Sequence, residues 1–300
     1  MAASPKEMSK IPDNFGALED KYSEYKKSKV AIIPIPYEIT TTYIKGTKKA
    51  PRAIIEASKN MELYDEELDR VVADIGISTL APLKITKKPG VMVSKVKTRC
   101  LKVLNDNKFP VVIGGEHSIS IGSLFALKEK YPDISVLSLD AHADLRGEYE
   151  GSKYNHACVM ARIREHCDAV QAGVRSLSFE ESETIKENHY KVMWAKDKTN
   201  ITGWVKEILD NLNKDVYITV DTDVFDPSLI PAVGTPEPGG LDWDDVLTAT
   251  KAVFKEKNVV GFDVVELCPD STSKTADFIT AKLIYKMLGY KFFLVKKRRN

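Results

Sequence analysis

The stretch Ser138-Leu139-Asp140-Ala141-His142-Ala143-Asp144 constrains this chain more than any other. It follows an apolar run, Ile134 to Leu137, that reads as a buried strand. If the strand continues, residues at i, i+2 and i+4 share a face, so Asp140, His142 and Asp144 point the same way. Two carboxylates and an imidazole on one buried face are costly without a partner. Oxygen and nitrogen ligands together suit a borderline divalent metal such as Mn, Zn, Fe or Co.

Two further strand candidates end in the same kind of side chain. Val216 to Val220 runs into Asp221-Thr222-Asp223, with Asp226-Pro227 just beyond. Val111 to Ile113 runs into Gly114-Gly115-Glu116-His117. Open parallel sheets place their sites at this carboxyl edge. Six ligand-type residues exceed the needs of one ion, so two ions sharing bridging carboxylates are expected. The alternative for these residues is a set of caps and surface turns.

The rest of the chain alternates strand and helix. Strands are expected over Val30–Pro36, Val71–Gly76, Asp168–Val174, Tyr190–Trp194, Val259–Leu267 and Phe292–Val295. Helices are expected over Leu18–Tyr25, from Pro51 to Lys59, Gly90–Lys108, Ser118–Lys128, Ala157–Arg164, Ser178–Asn188, Ile201–Leu212, from Asp242, and Thr275–Leu288. Polar, Gly-containing loops fill Arg146–Asn155 and Ser228–Gly240. This alternation predicts one α/β/α domain over residues 1–300 with a mostly parallel sheet, a closed barrel being the alternative.

Composition excludes several function classes. With 44 basic and 43 acidic residues the formal charge is +1, which argues against a nucleic-acid surface. The basic run Lys296 to Arg299 reads as a solvated tail. Four cysteines show no Cys-x-x-Cys spacing, so a reduced, cytoplasmic protein is expected; Cys158 and Cys268 read as small buried hydrophobes. No signal-type start and no apolar run near 18 residues appear, so no membrane span is expected. No Gly-x-Ser-x-Gly elbow, Gly-x-Gly-x-x-Gly or Walker A run occurs, so neither a serine nucleophile nor a nucleotide cofactor is expected.

Two more residues are candidates for the chemistry. His156 follows the polar loop and could carry a proton, its ordinary pKa lying near neutrality. Glu266, near the end of Val264-Val265-Glu266-Leu267, could grip a planar guanidinium in bidentate fashion. A surface histidine and a glutamate paired with a neighbouring Lys or Arg are the alternative readings. His166 and His189 stand in polar company and read as surface or structural.

Gly114-Gly-Glu-His-Ser118, Ser138 to Asp144 and Thr219-Val-Asp-Thr-Asp-Val-Phe-Asp-Pro227 resemble the three signatures of the ureohydrolases. That family includes arginase, agmatinase, guanidinobutyrase and formiminoglutamase. Gly234-Thr-Pro-Glu-Pro-Gly-Gly240 and Gly261-Phe-Asp-Val-Val-Glu266 fit as well, and the likeness spans about residues 30 to 290. The resemblance implies an α/β/α sandwich, assembled as a homo-trimer or homo-hexamer, and a cytosolic hydrolase with two Mn2+ per subunit. It implies His117 and Asp144 on one ion, His142 and Asp223 on the other, and Asp140 and Asp221 bridging both. His156 matches the family's catalytic histidine and Glu266 its guanidinium-binding glutamate. Attack of metal-bound hydroxide on the guanidino carbon, with the amine protonated via His156 or Asp144, would release urea.

The segments that would meet the substrate tail depart from arginase. Arginases place an Asn where this chain has Arg146, and an Arg-Asp-x-Asp segment where it reads Arg175-Ser-Leu-Ser178. Asp144-Leu-Arg-Gly-Glu-Tyr-Glu-Gly-Ser152 looks instead like the agmatinase-type loop, with Glu148 and Glu150 able to steer a dication or to stand solvated. The expectation is therefore agmatine hydrolysis to putrescine and urea, a polyamine-forming step. N1-aminopropylagmatine, guanidinobutyrate and arginine are the alternatives, with Ni or Co as alternative metals. A non-catalytic member of the fold, or a one-ion deacetylase-type hydrolase, is the reading from another class.

Overall fold

Short runs rich in Val, Ile and Leu, each bounded by turn residues, become the strands of a sheet buried on both faces. The computed structural model describes residues 12–294. Its strands are β1 (Val30–Pro34), β2 (Tyr64–Asp65), β3 (Arg70–Val71), β4 (Ile77–Thr79), β5 (Phe109–Ile113), β6 (Ser135–Leu139), β7 (Ala169–Val174), β8 (Lys191–Trp194), β9 (Asp215–Asp221) and β10 (Asn258–Val265). Its α-helices are α1 (Asp20–Ser23), α2 (Ala50–Ser58), α3 (Pro89–Asn105), α4 (Ser120–Lys130), α5 (Val159–Arg164), α6 (Phe179–Glu187), α7 (Ile201–Asp210), α8 (Trp243–Glu256) and α9 (Thr275–Phe293).

Eight strands pair in the order β4-β1-β5-β10-β9-β6-β7-β8. Every pairing among them is parallel. Strands β4 and β8 are open edges, so the sheet is not a closed barrel. Side chains alternate between two apolar layers. Val30 and Ile32 join α2, α7, α8 and α9 on one face. Ala31 and Ile33 join α3, α4, α5 and α6 on the other. The result is a three-layer α/β/α sandwich. Among the described residues, no helix is long and apolar enough to cross a membrane.

Strands β5, β10, β9 and β6 are neighbours at the centre, although β9 and β10 come last in the chain. The chain fills the sheet outward, then returns to complete its middle. That reversal opens a crevice at the carboxyl ends of the central strands. Strand β5 begins two residues earlier than its apolar core, because Pro110 is tolerated there. Its missing N–H is harmless: β10 pairs with β5 only from Val111 onward.

Three expectations are corrected. Val71 to Gly76 is strand only at Val71, the last residue of β3. Val72–Ile75 make a 3₁₀ turn, and Gly76, at φ 78°, redirects the chain into β4. Phe292 and Phe293 are the last turn of α9 rather than a strand; Val295 and the basic run lie outside the described residues. The strand β6 stops at Leu139, so Asp140 to Asp144 lie on a loop.

Gly115 is where close approach decides the sequence. Its N–H donates to Ile35 O and the next N–H to Tyr37 O. A Cβ at Gly115 would stand 1.9 Å from Tyr37 O. Gly115→Ala must therefore push the β1 exit off the His117 loop. It should cost about 3 kcal/mol, the upper end for overpacking. A purified variant should show a denaturation midpoint lowered by several degrees; an unchanged midpoint would contradict this packing.

Candidate metal centre

All six ligand-type residues meet at the carboxyl edge of the central strands. His117 follows β5 through the Gly114-Gly115 turn, Asp140 follows β6, and Asp221 ends β9. His117 Nδ1 lies 3.1 Å from Asp140 Oδ2, 3.2 Å from Asp144 Oδ2 and 3.4 Å from Asp221 Oδ2. His142 Nδ1 lies 2.8 Å from Asp223 Oδ2 and 3.8 Å from Asp140 Oδ1. Two ligand triads result, His117-Asp140-Asp221 and Asp140-His142-Asp223, and Asp140 is common to both.

The spacing fits cations. Bonds of roughly 2.0–2.2 Å at right angles put ligand atoms about 3 Å apart. His117 Nδ1 and Asp140 Oδ2 are buried and have no hydrogen-bond partner, so both are aimed at one another with nothing to satisfy them. Proton affinities in the cluster point the same way. Burial, then the charge of Asp140, pushes Asp144 up to about 7. Burial and the charges of Asp223 and Asp140 hold Asp221 well above the carboxylate range. Burial opposes a charged His142, but Asp223 outweighs it and raises the ring to about 10. Burial likewise opposes a charged His117, and the Asp140 and Asp144 carboxylates overcome it. His142 overcomes the burial of Asp223 and holds its carboxyl low. Protons gather where a divalent charge belongs.

The backbone supports this crowding. Asp144 at φ 52° and Glu266 at φ 63° both occupy the left-handed region that non-glycine residues avoid. Arg175 braces the loop below, donating to Asp223 O at 2.8 Å and to Glu237 O at 2.8 Å. Carboxylates also cap their own loops. His142 N–H donates to Asp140 Oδ1 at 2.6 Å, and Asp223 N–H to Asp221 Oδ1 at 2.9 Å.

A cleft of about 290 Å³ opens above the centre. His156 and Glu266 both line it. Glu266 is buried and has no Lys or Arg partner among the described residues; its Oε1 accepts the His117 N–H at 2.6 Å. Burial, then the charge of Glu116, raises its pKa well above the usual range. Burial lowers the pKa of His156, which keeps its ring neutral. Arg146, Ser176 and Ser178 line the walls, with Tyr43 and Ile44 at the rim. Glu148 and Glu150 are exposed and stand outside the cleft lining. His166 and His189 are exposed, Cys158 and Cys268 buried, and all four cysteines are free.

Sequence analysis gave no role to five supporting residues, Glu116, Thr40, Thr219, Tyr217 and Asp263. Buried Glu116 accepts Ile39 N–H, Thr40 N–H and the hydroxyls of Thr40 and Ser118. Thr40 Oγ1 in turn accepts the His156 N–H at 3.0 Å and lies 3.4 Å from His156 Nδ1. Thr219 Oγ1 sits 3.0 Å from His117 Nε2 and donates to Asp263 Oδ1 at 2.6 Å. The Tyr217 hydroxyl donates to the other oxygen of Asp263. This pattern assigns the Nε2–H tautomer to a metal-ligating His117 and leaves Nδ1 free for the cation. An acid inside the apolar run Val259 to Val265 was the signal for Asp263. Thr40 and Thr219 carried none.

Comparison with known proteins agrees with this geometry. Residues 28–289 match the model of the Arginase family. The N(1)-aminopropylagmatine ureohydrolase of Synechocystis is 39% identical over 96% of this chain and 96% of its own. The agmatinase of Pyrococcus horikoshii is 34% identical over 89% of this chain and 93% of its own. The crystal structure of agmatine ureohydrolase of Thermoplasma volcanium superposes with a TM-score of 0.85 at 31% identity, covering 93% of this chain and 94% of that one. With its ligand cluster shared between two triads on this sheet, the chain belongs to the arginase (ureohydrolase) family of binuclear-metal hydrolases.

Proposed function

We propose that this chain is one catalytic unit that hydrolyses an amine-tailed guanidine to urea and the free amine, and that N1-aminopropylagmatine is its substrate ahead of agmatine. The two triads sharing Asp140, with Glu266 buried beside them, carry the reaction class. The choice of tail revises the agmatine expectation. It is supported by a relative named for aminopropylagmatine that is 39% identical, against 34% for the agmatinase.

His117, Asp140, Asp144 and Asp221 would hold one cation, and Asp140, Asp221, His142 and Asp223 the other, with Mn2+ the metal implied by family resemblance. When bound, such a pair supplies activated water and stabilises developing negative charge. Glu266 is placed to accept from the guanidinium N–H groups, which fixes the plane of the reacting carbon. Water adds its oxygen to that carbon, the bond to the tail nitrogen breaks, and the nitrogen leaves with a proton. His156, neutral and partly exposed above the floor, carries that proton. Glu116, through Thr40, holds its ring in place.

One observation favours a second tail. Arg146 lines the cleft, its guanidinium 5.0 Å from the centre of the Tyr149 ring. A cation there suits a carboxylate tail such as that of 4-guanidinobutyrate.

A urea-release assay with metal supplied should give the highest kcat/KM on N1-aminopropylagmatine, then agmatine, with arginine poorest. Arginine as the best substrate would overturn the proposal. Removing metal with a chelator should abolish release and lower the thermal midpoint. The lost stabilisation is about 2.7 kcal/mol if metal had stood at a hundred times its Kd. Re-adding Mn2+ should restore both, and a midpoint indifferent to chelation would contradict a metal-held floor. His156→Ala should lower kcat about 10²- to 10⁴-fold, the range for a lost proton carrier, at unchanged metal content per chain. A fall below tenfold would remove His156 from that role.

A further inference from the structure

The reaction uses the cleft floor, so the walls must choose the tail. An ammonium tail needs an acid with an oxygen to spare. Glu181 lines the cleft, but both its oxygens are taken. Oε1 accepts Leu145 N–H at 2.8 Å and Oε2 accepts Ser178 N–H at 2.8 Å. Ser178 is committed to the same capping box that starts α6. Glu148 and Glu150 are exposed, and their carboxylates bond to no lining residue.

Glu237 is different. It is not itself a lining residue, but it is half-buried and its Oε1 accepts the hydroxyl of Ser176, which does line the cleft, at 2.8 Å. Its Oε2 makes no hydrogen bond to the described residues. The loop that carries it also places Gly234 and Thr235 in the lining. That loop is pinned at Glu237 and at the three residues after it. Arg175 donates to the carbonyls of Glu237 and Pro238, and Asp226 Oδ2 accepts the N–H groups of Gly239 and Gly240. Ser176 is tied to the ligand loop by its N–H to Ala141 O and its carbonyl to Ala143 N–H. A carboxylate is thus held at a fixed offset from His142, which bridges to Ser176. Such an acid recognises a cation without having to order itself first.

We propose that Glu237, aimed by Ser176, is the acceptor for an ammonium in the substrate's tail and sets the preference for amine-tailed guanidines. This rests on the reading of the chain as an amine-tailed guanidine hydrolase. Glu237 replaces, from another loop, the acid that Arg175-Ser-Leu-Ser178 does not offer. Arg146 acts against it and would favour a carboxylate tail.

The test compares agmatine, neutral butylguanidine and 4-guanidinobutyrate on the metal-loaded enzyme. In Glu237→Gln the ratio of kcat/KM for agmatine over butylguanidine should fall ten- to a hundredfold, the worth of one charge-assisted hydrogen bond, and the change should lie in KM. Ser176→Ala should move the ratio in the same direction by less. Glu237→Lys should raise kcat/KM on 4-guanidinobutyrate at least tenfold relative to agmatine, a gain that misfolding cannot produce. An unchanged agmatine-to-butylguanidine ratio in Glu237→Gln overturns the proposal, including the case where all substrates fall together. Binding of 1,4-diaminobutane, followed by calorimetry, separates this from failure of the reaction itself. If wild type released urea from neither the panel nor N1-aminopropylagmatine, the hydrolase reading would fall. Diamine binding that weakened in Glu237→Gln would still place the ammonium at Glu237, and equal binding would remove it.

Discussion

Asp140 answers to both histidines. Its Oδ2 faces His117 at 3.1 Å while its Oδ1 faces His142 at 3.8 Å, and each histidine gathers further carboxylates around itself. Like charges at this spacing repel strongly once water is excluded. A parallel sheet with both faces covered excludes water well, so the crowding is tolerable only with cations or protons between the acids. The fold supplies the crowding through topology. Strands β9 and β10 return to the middle of the sheet, so acids distant in sequence end side by side.

Holding six ligands is not enough; each must also be turned. Thr219 and Asp263 turn His117 from the strand side, while Thr40 and Glu116 hold His156 from the β1 exit. Burial makes these networks consequential, because a lost partner leaves a polar group unsatisfied. Gly115 serves the same end without a side chain. Its close approach to Tyr37 lets Glu116 reach Ile39 and Thr40. The strained φ angles of Asp144 and Glu266 fit this view, since surrounding contacts over-determine them.

The periodic parts of the molecule were legible in the sequence. Apolar runs located the strands of the main sheet except β4, and the residues that follow β5, β6 and β9 announced the ligand cluster. Hidden features were those whose cause is non-local. Pro110 masked the start of β5, because whether a missing N–H matters depends on where β10 begins to pair. Val71 to Gly76 has strand composition, yet Gly76 at positive φ breaks it, with Ser28 Cα 2.8 Å from where its Cβ would stand. Phe292 looked like a strand residue until its ring met Phe109, edge-on at 5.9 Å, as the end of α9. The convergence of Asp140 and Asp144 was anticipated through strand alternation, but a loop with a left-handed Asp144 achieves it instead. The role of Ser176 was legible only as a departure, because its partner Glu237 lies 61 positions away.

Floor and walls of the cleft obey different constraints. Floor residues stand at strand ends, where a small displacement would misplace a cation, so the sheet fixes them. Wall residues such as Arg146, Tyr149 and Ser176 stand on loops that can change without disturbing the sheet. Substrate choice can therefore vary while the chemistry stays put, and relatives of this chain carry names for different guanidines. Charge around the cleft is not uniform: Arg146 lines it from one segment, and Glu237 stands on another, bonded to the lining residue Ser176. For a tail bearing one ammonium the two act in opposition. On the proposed reading, the tail charge that Glu237 would favour is the one that Arg146 would repel, so loop residues rather than the metal centre would decide which guanidine is taken.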